Sequence, residues 1–220
     1  MKTIACVLHT TPFYNREHKV EYTPEHVRWL KRQVEKCCMV PHRFVCFSNV
    51  EIEGVEVIPL KHDWPGWWSK LEMFAHLQEA FYMDLDTVLV GPIDDLVHHT
   101  PAGMMALESM TRVPDLRLNS GILSWKGDFR FLYENFQSNP EAIMGRYTEV
   151  RRWGDQGYIQ DQLEARVQAF EILQRKFPGQ VVSFKADLRR GNPKPGNRIV
   201  CFHGQPKPEH VKAVHSWIPS

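Results

Sequence analysis

The chain has 220 residues, 43% of them hydrophobic and 24% charged, with a formal net charge of +1. That is an ordinary soluble composition with room for a real core, and it excludes a global field that would select nucleic acid or a membrane surface. Five cysteines, an odd count without CxxC spacing, argue against a disulfide framework or structural zinc and point to a reducing, cytoplasmic setting.

No run reaches the roughly 18 consecutive apolar residues of a membrane span. The opening MKTIACVLHT is interrupted by His9 and shows no cleavage site, so it reads as a first buried strand over 3–9. In YTPEHVRWLKRQVEKCC, Thr23 is a helix N-cap, Pro24 takes the first helical position, and Val27, Leu30 and Val34 recur at helical spacing. RFVCFSN (43–49) and VEVIPL (55–60) are short strands, and GWWSKLEMFAHL begins a helix leading into a strand over 80–90. This order predicts an α/β layer with a mostly parallel sheet. Beyond Pro92, strands are expected at 101–109 and 118–125 and helices at 129–144 and through DQGYIQDQLEARVQAFEILQ. GNPKPGNR is a loop and IVCFHG a last strand. Without repeat or linker, residues 1–220 read as one domain. Arg189, Arg190, Lys194 and Arg198 crowd together as a solvated loop or a basic patch.

FYMDLDTVLVGP (81–92) sets two carboxylates inside an apolar run. On a strand, Asp84 and Asp86 share a face, and side-by-side carboxylates repel unless something compensates them. Their hard oxygens suit Mg2+, Mn2+ or Ca2+ with positions left for phosphate, at the carboxyl edge where open α/β sheets bind ligands. A hydrogen-bonded or helix-capping Asp pair explains the same letters. LNSGILSW adds Asn119 and Ser120 before Gly121. WGDQG places Asp155 and Gln156 at a helix start, and CFHGQPKP brings His203, Gly204 and Lys207 after a strand. Singly, these read as a turn, a helix start and a surface loop. The tryptophans of DWPGWWSK either frame the mouth of a site or anchor the core, the latter for Trp68.

Together and in this order, the stretches from WSKLEMF to HGQPKP resemble the retaining GT-A glycosyltransferases of the glycogenin and bacterial galactosyltransferase (family 8-type) group. The resemblance implies a GT-A fold: a Rossmann-like, mostly parallel central sheet flanked by helices, with a small additional antiparallel sheet. It implies a metal-dependent enzyme moving a sugar from a nucleoside diphosphate sugar, with uracil as the base, to an acceptor hydroxyl with retention. Asp84 and Asp86 then hold Mn2+ (or Mg2+) against the diphosphate. Lys70 and Asn119 contact the donor, with Ser120 beside them, while Gly204 and Lys207 belong to the loop closing over the diphosphate. Asp155 and Gln156 flank the anomeric carbon as the catalytic pair. Tyr22 takes the base-stacking place, with His9 and Thr10 at the end of the first strand. Two departures stand out: Cys201 occupies the slot of the family's metal-binding histidine, and Glu209 replaces a tryptophan. Either His203 ligates the metal after a small shift, or it contacts phosphate and water completes the shell. The acceptor is open among glycan, lipid-linked glycan, protein and modified nucleic acid.

Two rivals are a haloacid dehalogenase-type phosphatase and a non-catalytic sugar-nucleotide or glycan-binding module. DLDT fits the phosphatase DxDxT, but GDQGYIQD has the wrong spacing for its later acidic pair, and that motif normally opens the chain.

Overall fold

The computed structural model describes residues 1–15, 18–110, 116–149 and 152–219. Strand β1 (Lys2–Leu8) is followed by a hairpin of β2 (Phe13–Asn15) and β3 (His18–Val20), and then by helix α1 (Pro24–Cys37). Helix α1 starts where local chemistry puts it: Thr23 is extended, Pro24 opens the helix, and the Thr23 N–H donates to His26 Nδ1 at 3.1 Å. Its Val27, Leu30 and Val34 are buried.

Strands β4 (His42–Ser48) and β5 (Glu56–Pro59) continue the sheet in parallel from β1. The helix predicted from Gly66 is mostly a tight 3-10 run, Gly66–Glu72, ending in the short α2 (Met73–His76). Glu72 is buried there, its carboxylate accepting the backbone N–H groups of Lys61 and His62 at 2.7 and 3.0 Å. That clamp ties the run to the loop before it.

The apolar stretch over 80–90, read as one strand, is two. Strand β6 (Glu79–Met83) belongs to the large sheet and β7 (Thr87–Leu89) to a small one. Both are apolar because each is buried in its own sheet, so composition hid the break. Asp84–Asp86 is therefore a turn between sheets, held by Asp84 N–H to Gly121 O (2.8 Å) and Thr87 N–H to Asp84 O (3.1 Å). The same-strand argument for a shared face does not apply.

Next come α3 (Asp94–His98), β8 (Met104–Glu108), β9 (Leu118–Lys126), α4 (Arg130–Ser138), α5 (Pro140–Arg146) and α6 (Gly154–Ala165). The helix predicted from Asp155 onward ends at Ala165. Val167 takes a left-handed φ of 54°, and the N–H groups of Val167 and Gln168 reach back to Glu164 O and Leu163 O at 2.9 Å each. This is a Schellman ending with valine where glycine is usual, which is why sequence gave no stop signal. The chain then forms β10 (Phe170–Ile172), α7 (Leu173–Lys176), β11 (Val181–Ser183), β12 (Ile199–Cys201) and α8 (Pro208–Val211).

The large sheet runs β10-β8-β9-β6-β1-β4-β5, with β9 antiparallel to β6 and β8 and the remaining pairs parallel. The small sheet runs β11-β12-β7, β7 being antiparallel to β12. One face of the large sheet packs on α1 and α3, the other on α2, α4 and α6. The small sheet has its own apolar layer of Val88, Phe184, Val200, Phe202 and Ile218. No helix among the described residues is long and apolar enough to cross a membrane.

Candidate active site

The sheet switch at Asp84–Asp86 opens a cleft between the two sheets. Its walls come mainly from five distant stretches: Trp67–Lys70, Tyr82–Thr87, Asn119–Gly121, Trp153–Gln156 and Cys201–Lys207. The sequence motifs thus converge in one place, at the carboxyl ends of β6 and β12.

Lys70 sits at the centre of one wall, 2% exposed. Its ammonium lies 3.1 Å from Asp84 Oδ1, 3.0 Å from Asp155 Oδ2 and 3.2 Å from the Ser120 carbonyl. Ser120 Oγ also donates to Asp155 Oδ2 at 2.5 Å, and the Tyr82 hydroxyl donates to Asp84 Oδ1. Burial alone would pull the Lys70 ammonium down, but Asp155 and then Asp84 outweigh it and hold its pKa above the usual lysine value. Burial raises the Asp84 carboxyl, with Lys70 opposing. An ammonium has three N–H groups, and these oxygens use all three. Lys70, predicted to contact the donor, lines the cleft with its ammonium on the protein's own carboxylates.

Helix α6 fixes the next pair. Gly154 has a φ of 60°, and a Cβ there would sit 2.8 Å from the Trp67 indole nitrogen, so the helix can begin against that ring only with glycine. Gln160, one turn further on, accepts the backbone N–H groups of Arg117 and Leu118 at 2.7 and 3.0 Å, locking α6 to the start of β9. The lock aligns Asn119 with Gln156, whose Oε1 accepts from Asn119 Nδ2 at 3.1 Å. Asp155 and Gln156 are both buried at the cleft wall.

The facing wall belongs to the small sheet. Lys207 Nζ pairs with Asp86 Oδ2, and the Tyr22 hydroxyl donates to the same oxygen at 3.2 Å. Tyr22, predicted to stack on a base, has its ring edge-on to His26 with a centroid separation of 5.3 Å. His9 lines the cleft with Nε2 2.9 Å from Asp63 Oδ1, although the angle is too poor for a hydrogen bond. Thr10 is bonded to Asn49 through its N–H (3.0 Å) and hydroxyl (3.2 Å), outside the lining.

His203 Nε2 lies 2.7 Å from Ser183 Oγ. Burial, and then the nearby Lys185 ammonium, push its pKa down to about 4, so the ring is neutral near pH 7. The Cys201 thiol is buried, and burial followed by the charges of Asp86 and Asp84 raises it far above the ordinary thiol range. No group of three or more His, Cys, Asp or Glu side chains among the described residues converges as an ion-binding cluster. The donor chemistry of Asp84 and Asp86 nonetheless fits a hard divalent ion that draws its other oxygens from substrate and water.

Tyr82 and Trp153, both in the cleft lining, carried no sequence signal. Tyr82 hides in an apolar run, although its hydroxyl serves Asp84. Trp67 and Trp153 line the mouth with ring centroids 6.0 Å apart, whereas Trp64 and Trp68 are buried in the core. Lys185, beside Gly204, belongs to no motif. In the 189–198 stretch, Arg198 pairs with Asp95 while Arg189 and Arg190 are exposed.

No protein-family model matches the chain, and no curated protein matches it. Solved structures do. The galactosyltransferase LgtC, in complex with donor and acceptor sugar analogs, aligns with a TM-score of 0.62 and 12% identity over 94% of this chain and 88% of that one. The Streptococcus pneumoniae TIGR4 glycosyltransferase GlyE gives 0.59 and 12% over 94% of this chain and 55% of that one. The bifunctional glycosyltransferase WbbM gives 0.57 and 10% over 94% and 46%. The chain thus spans about half the length of the latter two. It shares the GT-A fold of these glycosyltransferases, as its sequence predicted.

Proposed function

We propose that residues 1–220 act as one metal-dependent glycosyltransferase domain, moving a sugar from a nucleoside diphosphate sugar, with uracil as the favoured base, to an acceptor hydroxyl with retention. The observation that carries this reading is Lys70, which joins Asp84, Ser120 and Asp155 from three remote chain segments in a cleft that also holds Asp86, Gln156 and Lys207. The fold shared with known glycosyltransferases supports it.

In this reaction the bond from the anomeric carbon to the diphosphate breaks, and its electron pair goes to the phosphate oxygen. The acceptor oxygen ends bonded to that carbon on the face the diphosphate left, and the hydroxyl proton departs with the released diphosphate. Asp84 and Asp86 would hold Mn2+ or Mg2+, whose charge offsets that gathering on the leaving group. Lys207 serves the same charge from the small-sheet side. Gln156, oriented by Asn119, presents its amide to the oxocarbenium-like carbon. Asp155 fixes Lys70 and Ser120 and keeps negative potential beneath that carbon. Lys70 is a positioning residue that holds two carboxylates in one arrangement.

Thermal-shift screening of nucleoside diphosphate sugars, with and without Mn2+, tests the reading. A ligand that binds the folded state alone raises the melting temperature by mass action. One sugar nucleotide should do so with Mn2+ and then be turned over to free nucleoside diphosphate. No shift with any donor overturns the proposal. A shift without turnover indicates a binding module, and phosphate release from a phosphomonoester with Mg2+ indicates the phosphatase.

A further inference from the structure

The small sheet sets two chain ends side by side. Strands β11 and β12 are parallel, with Val181 opposite Ile199, Val182 opposite Val200 and Ser183 opposite Cys201. The ladder continues one step, because the Phe184 N–H donates to Cys201 O at 3.1 Å. Phe184 and Phe202 stack with centroids 4.4 Å apart on the buried face. The following residues in that register are Lys185 and His203: His203 lines the cleft, and Lys185 stands behind it against Gly204.

Lys185 makes no hydrogen bond or ion pair among the described residues. The nearest acid on its own segment is diverted: Asp187 Oδ2 accepts the Ser183 N–H at 2.7 Å. The ammonium instead stands against the Gly204 backbone, 3.3 Å from where a Cβ would be, and Gly204 has a left-handed φ of 65°. The charges facing it are those of Lys207, Arg190 and Asp86. Burial comes first, with Lys207 and Arg190 adding to it, in holding this amine below the ordinary lysine range. A half-buried cation among cations costs stability unless something anionic completes it.

The pairing pattern says what that is. Lys70 stands on Asp84 and Asp155 and Lys207 on Asp86, while His203 beside Lys185 is neutral. Lys70 and Lys207 are already committed to carboxylates, so Lys185 holds the free positive charge on this side. We infer that Lys185 binds the terminal phosphate of the departing nucleoside diphosphate, side by side with Lys207. This rests on the glycosyltransferase reading and adds to it a leaving-group residue outside its motifs. Lys185 would touch the oxygen that receives the electron pair, and would therefore act on chemistry as well as on binding.

Isothermal titration on the full chain with Mn2+ tests the assignment. The probes are UDP, GDP, ADP, CDP and dTDP, followed by the monophosphate of whichever binds best. A charge-assisted hydrogen bond corresponds to a loss of about tenfold or more in affinity. Lys185→Gln should lose that much for the diphosphate while staying within about twofold for the monophosphate. Lys185→Arg should recover part of the loss. Arg189→Gln removes equal charge from the neighbouring surface and should alter neither. Without ligand, Lys185→Gln should melt at the wild-type temperature or above it, because it deletes an uncompensated charge; a structural lysine would do the reverse. Equal losses for mono- and diphosphate, unchanged diphosphate affinity, or a lowered melting temperature each overturn the assignment while leaving the glycosyltransferase reading in place. If the wild-type chain binds none of the five diphosphates, both fall together.

Discussion

The two walls of the cleft solve the same electrostatic problem in opposite ways. On the large-sheet wall one cation ties two carboxylates together: Lys70 meets Asp84 Oδ1 and Asp155 Oδ2, and Tyr82 and Ser120 donate to those same two oxygens. On the small-sheet wall the answer is partial, with Lys207 paired to Asp86 and Lys185 left over. The first wall is cross-linked without substrate and holds geometry, with one Asp84 oxygen left for a ligand. The second is completed by an anion and so couples its order to binding. Preorganisation sits on one side and ligand response on the other.

The sharpest way to break this contrast is Lys70→Met. It leaves the buried Asp155 without its cation beside the partly exposed Asp84, and removing one partner of a buried ion pair costs about 3–5 kcal/mol. Urea unfolding should show that loss, and a loss near zero would mean the wall is not cross-linked. Gln156→Ala comes next. An interaction that acts mainly in the transition state should lower kcat by about 100-fold with little change in KM and none in melting temperature. Lys207→Ala should weaken nucleoside diphosphate binding by about tenfold while lowering stability by only about 1 kcal/mol, because Tyr22 still serves Asp86. Comparable stability losses at Lys70 and Lys207 would erase the distinction between the walls. Chelation of the metal should abolish the melting shift given by the sugar nucleotide and leave the free protein's melting temperature unchanged.

The smallest effect concerns His203. Its folded pKa, about 4, lies below the ordinary histidine value, so the unfolded chain binds the extra proton first as pH falls. Its contribution to stability is therefore whole above the unfolded value and is lost between that value and pH 4. His203→Gln should flatten the acid side of the stability profile over that window, and urea midpoints at a series of pH values measure it.

Much of the site was legible as letters. Asp84, Asp86, Asn119, Asp155, Gln156 and Lys207 all line one cleft. Their arrangement was not. The apolar run at 80–90 reads as a continuous strand because burial, not strand continuity, sets its composition, and two different sheets bury it. The end of α6 was invisible because Val167 holds the place that glycine would announce. Tyr22 and Lys70 do line the cleft, but the sequence could not show that their polar atoms also rest on neighbouring aspartates. A motif gives the cast of charged groups; only packing decides which of them face inward. Lys185 had no motif at all, and its signal is an unanswered charge, which only coordinates show.

The turn between β6 and β7 has one further consequence. Three residues, Asp84–Asp86, are all that separate the sheets along this stretch, so there is no slack in the tether. Any tightening of the ligand's hold on those side chains must also tighten the seam, and by reciprocity anything that loosens the seam must loosen the hold. The aromatic cap of the small sheet, where Trp217 lies beside Phe184 and Phe202, shares in that seam.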